Sequence, residues 1–101
     1  QYLSLQGNSI TFDSDNIADV SSIFDGLSGL QRLNLARNGL KQLPNRLFLP
    51  MKQLKSLILD KNLIENLNEL TLDGLFQSLM NISLQYTKFK SKNLISLKTI
   101  L

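Results

Sequence analysis

The sequence predicts an α/β-type solenoid, with short parallel strands along a concave side and irregular loops or short helical turns behind them. Three observations predict it. The spacing LxxLxLxxNxL, or a close relative of it, occurs four times in 101 residues. The last three occurrences begin at Leu30, Leu54 and Leu79, intervals of 24 and 25 residues, after a longer first interval of 30 between Leu3 and Leu33. The residues behind each template keep the same register. A period of this length is the signature of a chain built from stacked units rather than around one central core.

In the first unit, spanning about residues 1–29, Leu3, Leu5, Asn8 and Ile10 fit the template with its opening leucine missing. The second unit, 30–53, supplies Leu30, Leu33, Leu35, Asn38 and Leu40. The third, 54–78, supplies Leu54, Leu57, Leu59, Asn62 and Ile64, and the fourth, 79–101, supplies Leu79, Ile82, Leu84, Thr87 and Phe89. Two leucines flanking one polar residue make a short strand with one buried face, predicting strands at 33–35, 57–59 and 82–84. The back halves place Phe48, Leu72 and Leu97 at one offset and Met51, Leu75 and Ile100 at another, with Phe24 and Leu27 in the same relation to the second unit. No unit can bury its leucines alone, so each must bury them against the next.

The asparagine falls where the chain leaves the strand and turns inward among leucines. An amide there needs partners, and unpaired backbone groups of the bend are the nearest. Asn8, Asn38 and Asn62 are therefore expected to form a ladder. Thr87, with one donor and one acceptor, is expected to do part of the same work in the fourth unit.

With these residues in place, the chain resembles the leucine-rich repeat family. LQRLNLARNGLKQLPNRLFLPMKQ is similar to its 24-residue typical subtype, with Leu43-Pro44 after the asparagine turn and Phe48 filling the convex side. That subtype is common in Toll-like receptor ectodomains and related extracellular proteins. The resemblance implies a non-enzymatic recognition module on the cell surface or secreted, of innate-immune or developmental type, binding a protein ligand or co-receptor on its concave face. An intracellular scaffold or regulatory subunit with cytoplasmic location is the alternative. The family's cysteine-rich caps are missing and the chain opens in mid-repeat, so an internal segment of a larger ectodomain is expected. Dimerisation and any membrane attachment would then belong to the parent chain.

Composition points the same way. There is no histidine and no cysteine, which removes imidazole bases, thiolate nucleophiles, disulfides and the usual zinc ligands. No enzyme activity, metal or cofactor is expected. Hydrophobic residues make up 43% and charged residues 19%, with no apolar run near the roughly 18 residues of a membrane span. Asp13-Ser14-Asp15-Asn16 begins like a calcium loop, but Ile17 and Ala18 follow where an oxygen ligand and a glycine are needed. Residues 11–22, part of the enlarged first unit, are expected to protrude or re-route the convex side. In the fourth unit Lys90, Ser91 and Lys92 replace the Leu-Pro step.

Residues alternating with the leucines should line the concave face: Tyr2, Ser4 and Gln6; Arg32, Asn34 and Ala36; Ser56, Ile58 and Asp60; Asn81, Ser83 and Gln85. Gly7, Arg37, Lys61 and Tyr86 should form a further column beyond the strands. Tyrosine and arginine on a rigid surface suit protein recognition. Two adjacent bases are too few to argue for a nucleic-acid partner. Asn81-Ile82-Ser83 is the one glycosylation sequon; in a secreted protein a glycan on Asn81 would cover part of this face.

Overall fold

The computed structural model describes residues 1–10, 24–65, 67, 71–75 and 78–90. Four strands of three residues each appear: β1 Tyr2–Ser4, β2 Arg32–Asn34, β3 Ser56–Ile58 and β4 Asn81–Ser83. They form one sheet in the order β1-β2-β3-β4, and all neighbours are parallel. The register aligns Leu3 with Leu33, Leu33 with Leu57 and Leu57 with Ile82, so the template leucines stack as rows. Strand by strand, in a sheet whose sequential neighbours are parallel, the intervening residues must carry the chain back across the molecule.

Each strand begins one residue earlier than the leucine spacing predicts, yet its ladder extends beyond it. Leu5 N donates to Asn34 O (2.8 Å), Leu35 N to Ile58 O (2.8 Å) and Leu59 N to Ser83 O (2.8 Å). A further rung follows in each gap: Gly7 N to Ala36 O, Arg37 N to Asp60 O and Lys61 N to Gln85 O. These hydrogen bonds place the pairs Leu33/Leu35, Leu57/Leu59 and Ile82/Leu84 in one paired segment.

The core is the space between successive coils. Leu33, Leu35, Leu54, Leu57, Leu59 and Ile64 from the strand side are fully buried or nearly so, and Leu47, Phe48, Met51, Leu72 and Leu75 meet them from behind. The first and fourth units contribute partly buried side chains, Leu3, Leu5 and Ile10 at one end and Leu79, Ile82, Leu84 and Phe89 at the other. Phe24 and Phe48 stack with ring centroids 6.2 Å apart and planes within 8°, a contact set by their shared offset from consecutive strands.

Behind the sheet the described residues carry turns rather than helix. Most of their hydrogen bonds span three residues, as in Leu27 N to Phe24 O, Met51 N to Phe48 O and Leu75 N to Leu72 O. Gly74 has φ +94°, and a Cβ there would stand 3.1 Å from the Leu49 Cα, so close backbone approach and a left-handed conformation both demand glycine. Thr71, buried, donates its hydroxyl to Leu43 O at 3.3 Å and so fastens this side of the third unit to the second. Residues 11–22, Ser91, Lys92, Leu97 and Ile100 lie outside the described residues, and the expectations placed on them with them.

Candidate functional site

The asparagine ladder forms the frame on which the site is built. Asn38 Oδ1 accepts from Asn8 N (2.9 Å) and Ile10 N (3.0 Å), and Asn62 Oδ1 accepts from Asn38 N (3.0 Å) and Leu40 N (2.9 Å). The amide nitrogens complete the set. Asn38 Nδ2 donates to Leu5 O, Leu35 O and Ala36 O, and Asn62 Nδ2 to Leu35 O, Leu59 O and Asp60 O. Each buried asparagine thus satisfies its own bend and the bend of the unit before it.

The two ends of this ladder differ from its middle. Asn8 is exposed and its amide reaches only Gln6 O, at 3.4 Å. Thr87 donates to Leu84 O (2.8 Å) and accepts from Phe89 N (3.2 Å), so it closes its own bend. Its hydroxyl takes no hydrogen bond from Asn62 N or Ile64 N, because threonine is one bond shorter than asparagine and cannot span to the preceding unit.

On the concave side, register sets the sequence-predicted residues in rows across the sheet. Tyr2, Arg32, Ser56 and Asn81 form one row and Ser4, Asn34, Ile58 and Ser83 the next. Gln6, Ala36, Asp60 and Gln85 follow where the ladder continues past the strands. Tyr2, Gln6, Arg32, Asn81 and Gln85 are exposed; Ser56, Ile58, Asp60 and Ser83 are half-buried.

Two members of these rows differ from the expectation that alternation alone exposes them. Asn34 is only 8% exposed: its amide donates to Tyr2 Oη and Gln6 Oε1, each at 3.2 Å, while its Oδ1 accepts from Ala36 N at 2.9 Å. Ala36 is buried as well. Tyr2 and Gln6 of the first unit lie against Asn34, a relation between adjacent units that one strand's pattern does not reveal. Asn34 therefore braces Tyr2 and Gln6 from beneath.

The phenol of Tyr2 ionises below the usual tyrosine value, first because of the Asn34 hydrogen bond, then Ser4, with the nearby Arg32 charge adding to it. The Arg32 guanidinium lies 5.2 Å from the centre of the Tyr2 ring. A second network stands across the face: Asp60 Oδ1 accepts from Ser83 Oγ (2.6 Å) and Gln85 N (2.9 Å). Ser56 Oγ donates to Asn81 Oδ1 at 2.8 Å, and the sequon asparagine Asn81 is exposed.

At the rim, Gly7, Arg37, Lys61 and Tyr86 stand at equivalent positions and share one backbone conformation, with φ of 75°, 58°, 57° and 58°. Left-handed geometry costs a non-glycine residue roughly 1 to 2 kcal/mol. Glycine in the first unit is the sequence signal for this bend; the other three side chains hid it. Arg37, Lys61 and Tyr86 are exposed, and the Lys61 ammonium lies 5.7 Å from the centre of the Tyr86 ring.

Among the described residues no group of three His, Cys, Asp or Glu could hold a metal ion, and no helix is long and apolar enough to cross a membrane. Stacked parallel strands, a ladder of buried asparagines and a rigid polar inner surface define a repeat solenoid of the recognition class. The chain matches the leucine rich repeat family over residues 1–64, well over half its length, and it belongs to that family. Repeats of this family generally mediate protein–protein interaction and are typically non-enzymatic. No curated protein and no solved structure matches the chain significantly.

Proposed function

We propose that this chain is a recognition segment of a cell-surface or secreted receptor ectodomain, of the innate-immune or developmental Toll-like type, which binds a protein ligand on its concave face. The observation that carries the reading is the pre-organised surface: Tyr2 and Arg32 paired over Asn34, and Lys61 and Tyr86 paired beside Asp60, all anchored on one hydrogen-bonded sheet. Side chains already held in place lose little freedom on binding, which favours affinity per contact. The 24-residue spacing of the second unit and the sequon at Asn81 support an extracellular setting.

A second reading, an intracellular scaffold, is favoured by one fact: 101 residues without a cysteine suit a reducing compartment equally well. Two measurements separate and test these. Expressed through the secretory pathway, the protein is expected to gain an endoglycosidase-sensitive mobility shift that Asn81→Gln removes; an unglycosylated, unsecreted product favours the scaffold. A photo-crosslinking residue at Gln85 is expected to capture a cell-surface protein that the same residue at Asn45, exposed in the convex turns, does not. Equal capture from both faces would refute concave-face recognition.

A further inference from the structure

The rim of the concave face carries two bases, Arg37 and Lys61, that form no ion pair among the described residues. Arg37 and Lys61 occupy equivalent bends of consecutive units and lie side by side, since their amides bond to Asp60 O and Gln85 O in the same ladder. Lys41, Glu65 and Lys90 stand three residues past Asn38, Asn62 and Thr87 and Lys88 one past Thr87, and all four are exposed. Asp60, the carboxylate in the concave rows, turns one oxygen to Ser83 and Gln85 and forms no ion pair with either base. Among the described residues the ion pair found is Arg46–Asp73, in the turns behind the sheet.

The bend gives no structural reason for long cations at this place. Its left-handed backbone favours glycine, which Gly7 supplies in the first unit, and Arg37, Lys61 and Tyr86 hold that conformation at a cost. They bury little in return: all three are exposed, Tyr86 by 79%. Long charged side chains kept outward on a strained, rigid frame are placed for a partner.

We propose that this rim binds an extended acidic segment of a partner protein, with carboxylates on Arg37 and Lys61 and an apolar or aromatic neighbour lying on Tyr86. The inference rests on the recognition reading above and specifies its ligand. Adjacent strands set the two bends about 4.8 Å apart, while same-side residues of an extended peptide are about 6.7 Å apart, a difference that long Arg and Lys side chains absorb. Acidic residues at alternate positions therefore match the column. A nucleic acid fits less well, because its binding grows with the number of phosphates neutralised and this column offers two bases.

Fluorescence anisotropy of a labelled dodecapeptide that alternates aspartate and serine, with one phenylalanine two residues after a central aspartate, titrated with the whole chain, tests the proposal. Binding is expected at low salt and should weaken as salt rises. The double variant Arg37→Asn with Lys61→Asn should bind about three- to tenfold more weakly, since asparagine tolerates the left-handed bend but carries no charge. Circular dichroism confirms that it folds. Lys52→Asn, exposed in the turn leading into β3, should bind like the wild type. Absence of binding, equal binding by the double variant, or tighter binding of a labelled oligothymidylate of the same length would overturn the proposal. A partner captured through Gln85 whose binding the double variant leaves unchanged removes the acidic segment but keeps concave-face recognition.

Discussion

Asn62 shows how much one side chain can do here. It is almost wholly buried and makes five hydrogen bonds, two accepted from the second unit's bend and three donated to carbonyls of the second and third units. Leucine has nearly the same shape and none of these groups. Asn62→Leu would leave the Asn38 and Leu40 amides buried without an acceptor, each an unpaired donor worth about 1 to 3 kcal/mol. A loss of roughly 2 to 5 kcal/mol in urea unfolding is expected; a loss under about 0.5 kcal/mol would show that water serves these groups as well. Thr87→Asn should act in the opposite sense, because the Asn62 and Ile64 amides have no hydrogen bond among the described residues and a longer amide would reach them.

Among the strands, position in the stack matters more than sequence. Leu57 and Leu3 fill the same place in their units, yet Leu57 is covered on both sides while Leu3, on the edge strand β1, is half-buried. Leu57→Ala is expected to cost roughly 2 to 5 kcal/mol and Leu3→Ala about half as much or less. Similar losses from thermal or chemical melting would mean that the first unit is as well packed as the third. The strands and their register were legible in the sequence because LxL alternation and a constant interval each specify a buried row. The asparagine ladder was legible because an amide at a fixed place among leucines requires backbone partners. The burial of Asn34 was not, since it goes with hydrogen bonds to Tyr2 and Gln6 of another unit, 28 to 32 residues away. Nor was the left-handed column, which arginine, lysine and tyrosine do not announce.

Across the whole molecule stability is shared between neighbours, with no single centre. The second and third units are covered on both sides, and their template leucines, such as Leu33, Leu35, Leu57 and Leu59, have no exposure. Native-state hydrogen exchange should follow this gradient. The Leu35 and Leu59 amides, bonded to Ile58 O and Ser83 O, should exchange at least about tenfold more slowly than the Leu5 amide, bonded to Asn34 O at the edge. Uniform protection from Leu5 to Leu59 would indicate all-or-none opening instead.

The asparagine bonds all run one way along the stack: Asn38 reaches back to the first unit and Asn62 back to the second, and neither reaches forward. Like overlapping roof tiles, every coil is held down by the one laid after it. Shortened versions of the protein should therefore tolerate trimming unequally, since stripping tiles from the early end uncovers spare amide groups at a wet boundary, whereas stripping them from the late end leaves the new last course unfastened.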